Sequence, residues 1–152
     1  KGAMRVRRAT IDDIDELVRM GHEFVSAPNY RDHLAIESET FADRIGQAIA
    51  SPDAFVGILE DENGIQGAIG ALAAASMFTL KRNAVELFWF VRLDARMSGG
   101  GRLLLDAVID WAKQTDCLAL HMIEPPEAPQ VGRAYHRRGF AKFETYWSLP
   151  CR

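Results

Sequence analysis

Arg96-Met97-Ser98-Gly99-Gly100-Gly101-Arg102 stands between two stretches of different periodicity. Upstream, Ala84 to Leu93 is an apolar and aromatic run with one embedded carboxylate, Glu86, and reads as a central strand. Downstream, Leu104, Ala107, Val108 and Trp111 recur at three-and-four spacing, the buried face of a helix ending near Gln114. Glycines at such a junction let the backbone approach a ligand closely, and the helix start presents unpaired N–H groups, so phosphate is a natural occupant. The plain alternative is a flexible connection. Leu104 stands where a dinucleotide fingerprint needs its third glycine, and no Gly-Lys-Ser/Thr follows, which disfavours NAD and nucleoside triphosphates.

Working outward, Cys117 to Ile123 reads as the next buried strand, ended by Pro125 and Pro126. The helix between makes this a crossover unit, so the two strands are expected to be parallel and joined in the right-handed sense. Val131, Ala134 and Tyr135 begin a short helix stopped by Gly139, and Phe140 to Leu149 alternates like a terminal strand. Toward the N-terminus, Met4 to Ala9 reads as a short strand, after which Thr10 and Asp13 form a capping box. The helix they open carries Ile11, Ile14, Leu17, Val18 and Val25 on one face, with Asp12, Asp13, Asp15 and Glu16 near its positive end. A break around Pro28 and Asn29 precedes a second helix marked by Phe41, Ile45, Ala48 and Ile49, ending before Pro52. Phe55 to Leu59 is a strand, Asp61-Glu62-Asn63-Gly64 a hairpin turn, Ile65 to Leu80 a second strand and Lys81-Arg82-Asn83 the next turn. The expected class is α/β, a mixed sheet flanked by helices.

The chain of 152 residues, 48% hydrophobic and 26% charged, has the length and balance of one globular domain, expected over residues 4–150 with Lys1-Gly2-Ala3 as an expression remnant. No apolar run approaches the ~20 residues of a bilayer span, and the start lacks the apolar core of a signal peptide. Cys117 and Cys151 are too few for a disulfide framework, which favours the cytoplasm. A net charge of −3 supplies no basic field for nucleic acid. Membrane and nucleic acid are therefore not expected partners. Cys117-x-x-x-His121 has no second pair at ligand spacing, so no metal is expected.

Arg96-x-x-Gly99-x-Gly101 resembles motif A of the GNAT superfamily of N-acetyltransferases, and Ala134-Tyr135-His136-Arg137-Arg138-Gly139-Phe140 resembles its later motif. The family's order of strand, two helices, three antiparallel strands, Gly-rich turn, helix, strand, helix and strand matches the reading from Met4 to Leu149. The resemblance implies an acyl-CoA N-acyltransferase-like fold with a splayed parallel pair of central strands, and acetyl-CoA as co-substrate. It implies that the amides of Ser98, Gly99, Gly100, Gly101 and Arg102 cradle the CoA pyrophosphate, with Arg96 or Arg102 adding charge. Phe90 and Val91 would pair their backbone with the pantetheine arm. Tyr135 would protonate the departing thiolate and Glu86 would deprotonate the acceptor. Tyr30, between the first two helices, and His121 and Glu124, at the end of the next strand, would line the acceptor side, the latter two as alternatives for relaying the proton through water.

Each assignment has a structural counterpart: Tyr135 shares a helical face with Val131 and Ala134, Glu86 can face water at an edge, Tyr30 can be an ordinary loop tyrosine, and Phe88, Trp89 and Phe90 read as core. The sequence departs from the family at Ala128, where an Asn is frequent. The expected activity is transfer of acetyl to a primary amine, on a small molecule or a protein, by direct attack. A non-catalytic acyl-CoA-binding module and a structural interaction domain are the alternatives. The sequence leaves the acceptor and the oligomeric state open, a homodimer included.

Overall fold

In a computed structural model that describes residues 2–152, five strands form one sheet in the order β1 (Arg5–Arg8), β2 (Ala54–Asp61), β3 (Gly64–Ser76), β4 (Thr79–Val91) and β5 (Leu120–His121). The first four are antiparallel neighbours, and β4 and β5 are parallel. The helices are α1 (Ile14–Val25), α2 (Ser38–Ala50), the short α3 (Leu93–Arg96), α4 (Gly100–Gln114) and α5 (Pro129–Arg137).

Period-two alternation builds a core on each side of the sheet. In β2, Phe55 and Leu59 face α4 and α5 beside Ile69, Leu104, Leu105, Val108 and Trp111. Val56 and Ile58, one residue out of phase, face α1 and α2 beside Leu17, Met20, Ile45, Phe88 and Phe90. Leu104, Leu105 and Val108 are fully buried. Each contributes about 1.5–3 kcal/mol through the apolar area it removes from water.

The capping box forms as expected, but it opens a single 3-10 turn, Ile11–Asp13, before α1 proper. Thr10 N–H donates to Asp13 Oδ2 at 2.8 Å, and Asp13 accepts two bonds from the Arg7 guanidinium, 2.8 and 2.9 Å long. This ties the start of α1 to β1.

Three elements differ from the expectation. The turn between β3 and β4 falls at Met77-Phe78, with Ser76 opposite Thr79, because the Ser76 and Thr79 hydroxyls accept the N–H groups of Phe78 and Lys81. Lys81-Arg82-Asn83 instead continues β4 along an arm that extends past the end of β2. The strand expected over Cys117–Ile123 pairs only at Leu120 and His121 and is an edge rather than a buried strand. Phe140–Leu149 forms no strand: Phe143 stacks on His121 with ring centroids 5.4 Å apart, and Ser148 Oγ hydrogen-bonds His33 Nδ1 at 2.6 Å. Alternation sets which face a strand would bury, but a ladder needs an edge, and the short β5 provides little of one.

Candidate active site

β4 and β5 are in register only at Ala84 with Leu120 and Val85 with His121. Beyond that point they part, and Leu87 to Val91 has no strand on its β5 side. A bulge lies at the same level: Glu86 is opposite Ala71 and Phe88 opposite Gly70, so Leu87 is an extra residue. The bulge reverses the facing of β4, so Ala84 packs toward α4 and α5 whereas Phe88 and Phe90 pack toward α1 and α2.

Glu86 stands where the strands separate. Its carboxylate accepts the N–H of Ile123 at 3.2 Å, a donor that a longer ladder would have given to a main-chain carbonyl of β4. Burial pushes the Glu86 carboxyl up to about 7, against the lowering effect of the Ile123 N–H. The carbonyl of Ile123 in turn accepts the Tyr135 hydroxyl at 2.6 Å. Tyr135 is buried among Trp89, Phe140 and the α4–α5 core. Burial first, then the negative charges of Glu86 and Glu124, hold its phenol well above the usual tyrosine range. Glu124 lies over the α5 backbone at Gly132, where an added Cβ would meet its Oε1 at 2.6 Å.

Tyr30 stacks on Phe24 at 4.3 Å, which packs on Phe90 at 4.7 Å. Its phenol is raised by burial and then by the charges of Glu127 and Glu86. Asn29 hydrogen-bonds Glu127 and ties the α1–α2 loop to the loop before α5. His121 is set apart: Leu120 and Met122 turn into the α4–α5 core, while His121 between them turns away and stacks on Phe143. A recess of about 590 Å³ between Arg31, Asp32 and Pro150–Arg152 does not touch Glu86 or Tyr135. The chemistry-bearing groups lie along the open β4 edge instead.

At the glycine turn, Gly99 takes φ +80° as the residue preceding α4. Ser98, Gly99 and Arg102 use their amides within the turn, donating to Ala95, Arg96 and Gly99. The Gly100 and Gly101 amides make no such bond among the described residues, which concentrates the free donors at the first turn of α4. An added Cβ on Gly100 would come within 2.5 Å of Leu59, so this turn sits directly on the sheet. Arg96 Nε donates to the Val91 carbonyl at 2.7 Å, closing the end of β4, while Arg102 points outward with no carboxylate partner among the described residues. Free amides and a free guanidinium beside an unpaired strand edge fit a diphosphate joined to an amide-bearing arm.

Such a splayed, helix-flanked mixed sheet with a glycine turn at its open edge defines an α/β protein of the acyltransferase-like fold class. The profile of the acetyltransferase (GNAT) family matches residues 16–142, and the chain belongs to that family. No curated protein sequence matches it. Among solved structures, a transcriptional regulator from Bacillus halodurans C-125 superimposes with a TM-score of 0.77 at 16% identity, over 97% of this chain and 99% of that one. Glucosamine-6-phosphate N-acetyltransferase from Arabidopsis thaliana does so with a TM-score of 0.76 at 14% identity, over 99% of both chains. An aminoglycoside acetyltransferase from an uncultured soil metagenomic sample gives 0.69 at 13% identity, over 96% of both. These likenesses establish the fold.

Sequence reasoning missed Ile123, whose role is carried by its main chain and leaves no trace in residue type. It also missed Glu127 and its bond to Asn29, a contact between residues 98 positions apart.

Proposed function

We propose that the protein is a cytoplasmic N-acetyltransferase that moves acetyl from acetyl-CoA to a primary amine by direct attack. The observation that carries the reading is the Glu86 carboxylate, half-buried where β4 and β5 part and joined to Tyr135 through Ile123. Acetyl-CoA supplies the acetyl group as a thioester. The Gly100 and Gly101 amides, with Arg102, would hold its diphosphate, and the open β4 edge at Phe90 and Val91 would take its arm. Glu86 accepts a proton from the amine as nitrogen bonds to the acetyl carbon, and Tyr135 gives a proton to the sulfur as the carbon–sulfur bond breaks.

The two steps assist one another. A phenol held above its ordinary pKa is a reluctant acid, and the Glu86 charge is one cause of that elevation. Once Glu86 has taken the amine's proton, its charge is gone and the phenol gives up its own proton more readily. Tyr30 and the carboxylates of Glu124 and Glu127 would border the acceptor, whose cationic form they favour.

One observation favours a second reading, a non-catalytic acyl-CoA-binding module: the Tyr135 hydroxyl is already committed to the Ile123 carbonyl. Turnover against a panel of primary amines, read by release of free CoA thiol, separates the two. Acetyl-CoA binding by calorimetry with no thiol release on any amine would favour the module. Charge reversal at Arg96 and Arg102 together should weaken acetyl-CoA binding, most at low salt.

A further inference from the structure

The hairpin of β3 and β4 runs out past the elements that support it. β2 pairs with β3 only as far as Ala54 with Leu72, and the β5 side ends where the Leu118 N–H donates to the Arg82 carbonyl at 2.8 Å. From Ala74 to Lys81 the hairpin is a two-stranded ribbon. Such a ribbon is marginal in water unless something packs on it. On the α1–α2 side, Phe41 of α2 covers Phe88, but the next pair on that face toward the tip, Leu72 with Val85, is exposed. The tip is apolar where loops are ordinarily polar: Met77, Phe78 and Leu80 are 91%, 89% and 94% exposed.

A second uncovered apolar surface adjoins the root of this arm. Val85 stands opposite His121, and Phe143 stacks on His121. From there the C-terminal segment carries Phe143, Tyr146, Trp147 and Leu149, all largely exposed, in a stretch that alternates like a strand and finds no ladder. Monomers rarely leave more than a few hundred Å² of contiguous apolar surface in water. At about 150–250 Å² for each aromatic side chain, Phe78, Phe143, Tyr146 and Trp147 alone offer roughly 500–800 Å². A stable interface takes about 800 Å² from each partner.

We propose that the arm and the C-terminal segment form one face of a twofold homodimer, the arm of each copy lying on the C-terminal segment of the other. A twofold interface needs both halves of each contact on the same chain, and these two adjoining surfaces supply them. The charges agree. Lys81 on the arm and Glu144 on the segment have no ion-pair partner among the described residues, whereas Arg82 is already held by Asp53. In the dimer, Glu144 of one copy meets Lys81 of the other, twice. Each ribbon thereby gains the packing it lacks in the single chain. The dimer does not depend on the acyl-CoA reading, and failure of either leaves the other standing.

Sedimentation equilibrium of the full chain is the test. The wild type should run at twice the chain mass, with a Kd in the micromolar range or below. Leu80→Glu on the arm and Trp147→Glu on the segment each replace a side chain that is 94% exposed in the single chain, so both variants should keep the wild-type circular dichroism. Each should raise the dimer Kd by about tenfold or more. Ile11→Glu, at an exposed apolar residue before α1, should leave it unchanged. Lys81→Glu and Glu144→Lys should each weaken the dimer, and the two together should restore it, since the pair is then reversed and not broken. A wild type that stays monomeric at about 100 μM, well above the Kd of interfaces of this size, overturns the proposal. So does a dimer that either Leu80→Glu or Trp147→Glu leaves intact, or a charge-reversed double variant no tighter than its parents. A monomeric wild type that co-sediments with phosphatidylcholine–phosphatidylglycerol vesicles would assign the face to a lipid surface instead.

Discussion

Glu86 and Tyr135 are joined through a single residue: the N–H of Ile123 donates to Glu86 at 3.2 Å, and its carbonyl accepts the Tyr135 hydroxyl at 2.6 Å. The chain thus fixes the proposed base and acid to one point just beyond the last β4–β5 pair. Tyr135→Phe removes the acid and leaves the Ile123 carbonyl without its donor. It should lower kcat by about 10²–10⁴ and stability by about 1–2 kcal/mol, with the acetyl-CoA Kd unchanged. Steady-state kinetics alongside calorimetry and urea denaturation check this. A stability loss with kcat intact would leave Tyr135 as a core residue.

The three glycines of the turn should respond differently to alanine. At Gly99 the obstacle is the backbone, since φ +80° is unfavourable for a residue with a Cβ, and the loss should be about 1–2 kcal/mol. At Gly100 the obstacle is space, with Leu59 Cδ2 only 2.5 Å and the Ala95 carbonyl 3.2 Å from the new methyl, so overpacking should remove about 1–3 kcal/mol. Gly101→Ala meets Trp89 at 3.5 Å and Val91 at 3.8 Å, ordinary contact, and should fold normally. Thermal melts of the three variants give the ranking. Equal losses at all three would mean that the turn does not sit on the sheet in this way.

A separate pH dependence is built into the N-terminal tie. Arg7 hydrogen bonds, and then the Thr10 N–H, hold the buried Asp13 carboxyl below the usual carboxylate range in spite of its burial. A lowered pKa stabilises the fold above the unfolded value of 3.8, and that stabilisation is lost as pH falls through the folded value. Asp13→Asn should therefore cost about 2–3 kcal/mol at pH 7, and the gap to wild type should close below about pH 4. Denaturant midpoints measured from pH 3 to 8 follow the gap, and a constant difference across that range would exclude the ion pair as its source.

The parts of this molecule that were legible in its sequence are those written in periodicity. The three-and-four spacing of Leu104, Val108 and Trp111 belongs to a helix, and the carboxylate in an otherwise apolar run singled out Glu86, which stands where β4 and β5 part. Lys81-Arg82-Asn83 misled because a polar run reads as a turn, while the hydroxyls of Ser76 and Thr79 set the actual one. Phe140–Leu149 misled because alternation specifies a face and not a neighbour. Ile123 could not be singled out, because it holds Glu86 and Tyr135 through its peptide groups.

Glu86 gives the sharpest pH prediction. Its carboxyl is raised from 4.5 to about 7 by burial, so the folded protein binds a proton that the unfolded chain releases between those values. The associated stability is complete below pH 4.5 and is lost as pH rises through about 7. Glu86→Gln, which cannot ionise, should therefore match wild type near pH 4 and become the more stable of the two by pH 8. Its catalysis should move the other way. A primary amine with a pKa of ~10.4 is unprotonated in fewer than about one molecule per thousand at pH 7, so a base beside it has most effect there. Wild-type kcat/KM should rise through about pH 7 as Glu86 ionises. The mutant should lose that inflection, fall by about 10²-fold or more at neutral pH, and recover toward the amine's own pKa, with acetyl-CoA binding unchanged throughout. Stability and rate are independent readouts of one carboxylate. A mutant whose stability follows the predicted crossover but whose pH–rate profile overlays the wild type would establish Glu86 as a buried titrating group and remove it from the reaction.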